Sequence, residues 1–148
     1  MLRRATRADL EPLVALQHAA YARNQAILGV VPIPLQIDYR DVLATKEVWV
    51  EDDAGSIAGA LILEPAPDHL MIWSIATDPV RQQGGLGRRL LHAAEARAAE
   101  LGVPVVRLYT ETLLTHLVAW YERHGYVTER IEERPDRSVT HMMKQLTD

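Results

Sequence analysis

The chain has 148 residues, a length that favours one domain, residues 1–148, with a substantial buried core. Hydrophobic residues make up 48% of it and charged residues 24%, as in ordinary globular proteins. Its 16 Lys and Arg against 20 Asp and Glu give a net charge of −4, which argues against general affinity for nucleic acids or acidic membranes. The lack of cysteine excludes disulfides, a thiol nucleophile and cysteine metal sites.

The sequence shows neither a targeting or membrane-spanning segment nor a pattern of metal ligands. The N-terminal Met1-Leu2-Arg3-Arg4 has no apolar segment behind it, and no apolar run approaches the about 18 residues of a membrane span. The histidines are scattered without the spacing of metal ligands. We therefore expect a cytoplasmic protein that binds no metal and no membrane.

The N-terminal half predicts a short strand, two helices and an antiparallel meander. Thr6-x-x-Asp9 resembles a capping box, with Asp in place of Glu, and the apolar face of the first helix follows it from Leu10 to Tyr21. Pro32 and Pro34 exclude regular helix between the two helices. The predicted elements are a strand at 2–5, a helix that follows the capping box, a helix at 38–44, and strands at 47–51, 56–63 and 69–77.

The C-terminal half predicts a strand between two helices, followed by a hairpin. Gly102 and Pro104 end a helix that spans 86–101. The next strand, 105–110, follows a helical crossover and should therefore be parallel to its predecessor. A helix at 114–123 and strands at 126–133 and 138–146 complete the order β-α-α-β-β-β-α-β-α-β-β.

Three glycines lie where a predicted strand passes into a predicted helix, at Gly84, Gly85 and Gly87. Glycines at such a turn let backbone N–H groups converge on an anion, and the helix N-terminus adds partial positive charge there. The segment therefore predicts a phosphate or pyrophosphate site. The alternative is a glycine-rich turn that only joins the strand to the helix.

The spacing separates this loop from the two commonest phosphate motifs. No Lys-Ser or Lys-Thr follows, as a P-loop requires, and the order Gly84-Gly85-x-Gly87 differs from the dinucleotide fingerprint. The pattern Gln82-x-x-Gly85-x-Gly87 resembles the Gln/Arg-x-x-Gly-x-Gly/Ala signature of the GCN5-related N-acetyltransferase (GNAT) superfamily. The preceding residues 75–79 resemble that family's strand before the loop, and the element order agrees over essentially the whole chain.

This resemblance implies an α/β (α+β) fold with a mixed, mostly antiparallel central sheet flanked by helices. It also implies acetyl-CoA as co-substrate, with the pyrophosphate on the glycine loop and the pantetheine arm along a sheet edge where two parallel strands separate. The cofactor-binding residues it implies are Ile75, Ala76, Thr77, Gln82, Gln83, Gly84, Gly85, Leu86, Gly87, Arg88, Leu117 and Tyr121.

The resemblance also suggests catalytic residues. The run from Ala119 to Tyr126 resembles the family's Ala-Leu-Tyr-x-x-x-Gly-Phe segment, in which Tyr121 would face the CoA sulfur and protonate the leaving thiolate. The alternative is a core tyrosine. The chain departs from the family at Leu117, where relatives often carry asparagine, and near Ser74, where relatives often carry a carboxylate or amide.

The motif therefore assigns no carboxylate as the base that deprotonates the acceptor amine. Glu111 and His116 are substitutes by position, although each could instead be a surface residue, and a water chain from Ser74 is an equal alternative.

The acceptor site is expected in the segment between the first two helices. Its candidates are Tyr21, Ile33, Asp38 and Tyr39. A tyrosine and an aspartate together could receive a cationic amine. Alternatively, Asp38 caps a helix and Tyr39 is a packing residue. The terminal hairpin or an exposed edge could support a homodimer, by analogy with relatives.

Three functions compete. The first is an acetyl-CoA-dependent N-acetyltransferase that acts on a primary amine of a small molecule or peptide by direct attack in a ternary complex. The second is an acyl-CoA-binding module without turnover, suggested by Leu117 and the missing carboxylate. The third is a different nucleotide-binding α/β protein. The loop spacing favours the first.

Overall fold

A computed structural model describes residues 1–81 and 84–146 of the chain. In these ranges the chain forms seven strands and four α-helices. Their bounds are β1 (Leu2–Arg4), α1 (Leu10–Leu28), α2 (Tyr39–Thr45), β2 (Glu47–Asp53), β3 (Ser56–Pro65), β4 (Leu70–Thr77), α3 (Leu86–Leu101), β5 (Val105–Glu111), α4 (Thr115–Arg123), β6 (Val127–Arg134) and β7 (Arg137–Gln145).

The element order is the predicted one, and the helix predicted at 86–101 has these bounds in the structure. Asp9 accepts a hydrogen bond from the backbone N–H of Thr6 (2.7 Å), as the capping-box pattern predicted, although a short 3-10 turn precedes α1 there. Gly29 ends α1 and Gly102 ends α3, both in left-handed conformation. Several strands are one or two residues longer than predicted because their ladders continue into the turns, as in the pair Pro65 and Leu70.

The strands of the described residues form one sheet in the order β1-β2-β3-β4-β5-β7-β6. Only β4 and β5 run parallel, as the helical crossover through α3 predicted. One apolar cluster joins α1 and α2 to one face of the sheet, through Leu13 and Val42. A second joins α3 and α4 to the other face, through Leu90 and Tyr121. The mixed, mostly antiparallel sheet between helices is confirmed.

The two parallel strands pair over only three residue pairs, the last being Ile72 with Leu108. Beyond that point β4 stays paired with β3 as far as Thr77, and β5 stays paired with β7 as far as Glu111. The strands therefore separate in the middle of the sheet, as the family resemblance implied. One edge of residues 74–77 is left without a strand partner in the described part of the chain.

A β-bulge in β4 lies where the separation begins. Ser74 pairs with Ile62 and Ile72 pairs with Leu63, so Trp73 is an extra residue on β4. A bulge interrupts the alternation of side chains between the two faces of a sheet. As a result Trp73 packs in the α1 cluster, and Ser74 also reaches α1 by hydrogen bonding.

The N-terminus of α3 packs closely on β3 at a glycine. A Cβ atom on Gly59 would lie 3.0 Å from Cδ2 of Leu86 and 3.3 Å from Cδ1 of Leu90, two buried side chains of α3. Glycine at this position therefore sets how near the first turn of the helix lies to the sheet. None of the helices in ranges 1–81 and 84–146 is long and apolar enough to cross a bilayer.

We predict that Gly59→Val lowers the free energy of unfolding by about 1–3 kcal/mol, because the added methyl groups overpack the contact with Leu86 and Leu90. Denaturant unfolding followed by circular dichroism measures the change. Ser56→Val, at an exposed position of the same strand, is the control and should change stability far less. Equal stability of the two variants would contradict this packing account.

Candidate functional site

A cleft of about 840 Å3 opens where β4 and β5 separate. Its walls come from α1, the turn at 32–34, β4, the start of α3, β5 and α4. This volume lies within the range of pockets that hold organic ligands of moderate size. The cleft runs along the unpaired edge of β4, so a ligand in it would have access to main-chain groups as well as side chains.

Most of the predicted site residues line this one cleft. They are Tyr21, Ile33, Ser74, Ile75, Ala76, Thr77, Gly85, Gly87, Arg88, Glu111, Leu117 and Tyr121. His116 lines it as well and is solvent-exposed. The predicted residues Gln82 and Gln83 lie outside the described residues. Residues far apart in the sequence are thus brought together on either side of the opening between the parallel strands.

The glycine loop forms one end of the cleft. Gly85 is the N-cap of α3 with φ of 74°, and Gly84 before it has φ of 95°, both in the region that L side chains avoid. This backbone begins a 16-residue helix whose first N–H groups have no partner within the helix. Arg88 is exposed beside Gly85 and makes no ion pair in the described part of the chain. The end is thus suited to an anion.

Two residues predicted for this loop, Gly84 and Leu86, do not line the cleft. Leu86 is buried in the core against Gly59, so its side chain does not face the cleft. Gly84 is exposed beyond the cleft wall, and its carbonyl accepts a hydrogen bond from Arg89 (2.7 Å). Only their backbone N–H groups could take part in binding at this end.

Tyr121 lies on α4 at the wall of the cleft. Its side chain is 9% exposed and packs edge-on against Trp120 and Tyr126, with ring centroids 5.0 and 5.8 Å away. Burial, followed by the nearness of Tyr21, raises its pKa, so the hydroxyl stays protonated over the ordinary pH range. No group in ranges 1–81 and 84–146 hydrogen-bonds to this hydroxyl. It is therefore a proton donor available to a ligand.

Ser74 lies in a small polar network on the α1 side of the sheet. Its Oγ is 2.8 Å from the hydroxyl oxygen of Tyr21 and accepts a hydrogen bond from Nε2 of Gln17 (3.3 Å). Gln17 is fully buried and also donates to the hydroxyl of Tyr39 (2.9 Å). Burial raises the pKa of Tyr21 to about 12. The network fixes a protonated tyrosine at the cleft wall opposite Tyr121.

Glu111 is buried, although a position at the surface was one expectation for a residue at the end of a strand. Its side chain is 8% exposed, and its Oε1 accepts a hydrogen bond of 2.7 Å from Nη1 of Arg137, which is 6% exposed. Burial raises the pKa of Glu111, while the charge of Arg137 opposes that rise. The lining of the cleft thus includes a carboxylate.

The structure places Asp38 and Tyr39 outside the cleft, in the alternative roles given above. Asp38 caps α2 by accepting from the N–H of Arg40 (2.9 Å) and pairs with the Arg40 side chain. Tyr39 is 4% exposed and donates its hydroxyl proton to the carbonyl of Pro34 (2.7 Å). Tyr39 therefore supports the segment that carries Ile33, Asp38 caps α2, and neither residue lines the cleft.

Sequence reasoning missed three residues at the site. Gln17 and Arg137 hold the predicted Ser74 and Glu111, and Tyr109 lines the cleft from β5. A glutamine on the apolar face of the first helix was a visible signal for Gln17, because buried polar side chains need partners. Nothing local marked Arg137, since its partner Glu111 lies 26 residues away.

The cleft therefore has an end suited to an anion, a protonated tyrosine hydroxyl at its wall, and a buried carboxylate in its lining. Such a set can hold an anionic ligand, donate a proton to it and accept a proton from a nucleophile. No group of three His, Asp or Glu side chains that could hold a metal ion occurs in the described part of the chain.

Comparison with known sequences identifies the family. The profile of the Acetyltransferase (GNAT) family matches residues 14–126. A mycothiol acetyltransferase from Propionibacterium freudenreichii is 29% identical over 130 residues, which cover 80% of this chain and 40% of that protein. The chain thus spans about two fifths of the length of this curated relative.

Solved structures share the fold over nearly the whole chain. The ribosomal-protein-S18-alanine N-acetyltransferase of Escherichia coli superposes with a TM-score of 0.81 at 19% identity, over 100% of this chain and 94% of that one. The PaiA N-acetyltransferase of Thermoplasma acidophilum, solved in complex with coenzyme A, gives a TM-score of 0.78 at 16% identity, over 98% of both chains. With the family profile matched across most of its length, the chain belongs to the GNAT family of acetyltransferases.

Proposed function

We propose that this protein transfers an acetyl group from acetyl-CoA to a primary amine of a small molecule or peptide, by direct attack in a ternary complex. The observation that carries the proposal is the single cleft at the separation of β4 and β5. That cleft joins the glycine loop, the hydroxyl of Tyr121 and the carboxylate of Glu111. Family membership and the coenzyme A complex of a structural relative support the choice of co-substrate.

The chain offers two kinds of contact to acetyl-CoA. Backbone N–H groups from Gly85 to Arg88 and the guanidinium of Arg88 would hold the pyrophosphate at the N-terminus of α3. The unpaired edge of residues 75–77 would hydrogen-bond to the amides of the pantetheine arm, as an added strand does. Leu117 on α4 would give the arm an apolar contact in place of the asparagine common in relatives.

Tyr121 would act at the thioester. As the neutral amine attacks the carbonyl carbon and the C–S bond breaks, negative charge moves to the sulfur. Burial keeps the Tyr121 hydroxyl protonated, so it can hydrogen-bond to the sulfur as that charge develops and give its proton to the departing thiolate. The absence of a hydrogen-bond partner within the described residues leaves Tyr121 free for this contact.

Glu111 would receive the proton that the acceptor ammonium must lose before attack. Its raised pKa brings a carboxylate closer to the range in which it can accept a proton from an amine, directly or through water. Ser74 is already engaged by Gln17 and Tyr21, so it would orient Tyr21 toward the acceptor rather than act as the base itself. His116 is exposed at the mouth of the cleft, where solvent surrounds it.

The acceptor would lie between α1 and the turn at 32–34, beside Tyr21 and Ile33.

A single domain over residues 1–148, a homodimer and a cytoplasmic location are further parts of the proposal. The single sheet running through the described residues supports the first, and the outer position of β6 in that sheet leaves an edge on which a second copy could pair.

The first test is thiol release from acetyl-CoA with a panel of small amines, amino acids, polyamines and peptides. We expect release that depends on both protein and amine, and the product mass should identify the acetylated nitrogen. The chain has no cysteine to react with the thiol reagent. If no amine gives thiol release while CoA still raises the melting temperature, a binding module without turnover is favoured. If nucleotides raise the melting temperature and CoA does not, the assignment of the loop is contradicted.

We predict that Gly85→Asp abolishes stabilisation by CoA, because it places a carboxylate at the anion site and strains a residue with φ of 74°. Differential scanning fluorimetry with and without CoA measures the shift. Gly102→Asp is a matched control, since Gly102 also has φ of 74° but ends α3 away from the cleft. An undiminished CoA shift in the Gly85 variant would remove the loop from the binding site.

We predict that Tyr121→Phe lowers kcat by about 100-fold and leaves the CoA-induced melting shift in place, since only the proton donor is removed. Steady-state thiol release at saturating acetyl-CoA measures it. Tyr126→Phe is the control: its ring lies 5.8 Å from that of Tyr121, but its hydroxyl bonds to Glu95 and it does not line the cleft. Unchanged turnover in Tyr121→Phe would exclude the hydroxyl from the mechanism.

A further inference from the structure

We propose that Arg137 is a positioning residue for acetyl transfer, which sets the orientation of Glu111 and holds the acceptor segment closed over the cleft. The inference rests on the proposed role of Glu111 as base. It assigns a task to the hairpin between β6 and β7, which otherwise contributes no residue to the cleft wall.

A single guanidinium connects three separate parts of the chain. Nη1 donates to Oε1 of Glu111 at the end of β5 (2.7 Å), and Nη2 donates to the carbonyl of Val31 (2.9 Å). Arg137 itself is the first residue of β7, directly after the hairpin turn. The side chains of Arg137 and Glu111 are 6% and 8% exposed, so their contact is a buried ion pair, whereas Val31 lies at the surface.

The contact with Glu111 determines which of its oxygens can act. Oε1 is taken by Arg137, whereas Oε2 has no hydrogen-bond partner within the described residues and belongs to a side chain that lines the cleft. A carboxylate held by one oxygen in this way loses less orientational freedom when the other receives a proton. The planar fork of an arginine is suited to this task, because it can donate in two directions at once.

The contact with Val31 determines the position of the acceptor segment. The same carbonyl also accepts from Nε2 of Gln36 (2.8 Å), so the segment is fastened at both ends of the turn that carries Ile33 and Pro34. Those two residues line the cleft. Loss of the bond from Arg137 would therefore loosen the wall against which the acceptor packs.

Several charges determine the proton affinity of Glu111 besides that of Arg137. Arg134 lowers its pKa and Asp136 raises it, both from the same hairpin, while His116 and Arg23 line the cleft. Removal of the Arg137 charge leaves a buried carboxylate without its nearest cation, so the proton affinity of Glu111 must rise.

The decisive variants are Arg137→Gln and Arg137→Lys. We expect Arg137→Gln to lower kcat/KM for the acceptor by about 100-fold while the melting shift with CoA persists. Since Glu111 acts deprotonated, the acid limb of the pH profile of kcat/KM should move to higher pH. Arg137→Lys keeps the charge but loses the second nitrogen. It should therefore keep the pH profile and raise KM for the acceptor. The Lys variant also tests the inference if Arg137→Gln does not fold.

The titration of the Glu111 side-chain carboxyl, followed by 13C NMR and assigned with Glu111→Gln, gives a readout that needs no turnover. Arg130→Gln, on the exposed strand β6, is the matched control. A higher midpoint for Glu111 in Arg137→Gln than in the unaltered protein supports the inference. Equal midpoints, or lost activity with an unmoved pH profile, would overturn it. If the unaltered protein releases no thiol from any acceptor, the proposed function fails and the titration still decides whether Arg137 controls Glu111.

Discussion

The brief pairing of β4 with β5 is the constraint on which the site depends. Three residue pairs join the two strands before each stays with its other neighbour, β3 or β7. The bulge at Trp73 occurs at this point and turns Ser74 toward α1. A sheet that stayed paired to Thr77 would have no cleft and no free main-chain edge. The glycine loop, Tyr121 and Glu111 are brought to one cleft by this one interruption of the ladder.

The polar groups around the cleft are buried, and this costs stability unless each finds a partner. Ser74 is satisfied through Gln17 and Tyr21, and Glu111 through Arg137. Oε1 of Gln17 is a buried oxygen without a partner among the described residues. Buried ion pairs and networks of this kind contribute little net stability, but they fix geometry in a way that apolar packing does not. Their concentration at this cleft is consistent with a site held for chemistry.

Much of the fold could be predicted because its signals are local. Gly102 and Pro104 mark the end of α3, and the spacing of apolar residues with intervening turn residues marks the strands. The glycine loop was also predictable, because a positive φ at a helix start demands glycine. The partners of the site residues were not predictable. Gln17 meets Ser74 over 57 positions, and Glu111 meets Arg137 over 26, so both contacts exist only once the sheet order is set. Asp38 differs from these, because its partner is local: it caps α2, the alternative that the sequence had also offered.

The bond between Arg137 and Val31 joins segments 106 positions apart, and it limits how modular this protein is. If only the segment between α1 and α2, the proposed acceptor segment, were exchanged for one with a different backbone path, the main-chain carbonyl at position 31 would move away from this guanidinium. The arginine would keep Glu111 and Asp136 as partners, but the transplanted segment would lack its anchor on the hairpin. Exchanges of acceptor specificity in this scaffold should therefore move the two segments together, as a single unit that is discontinuous in sequence.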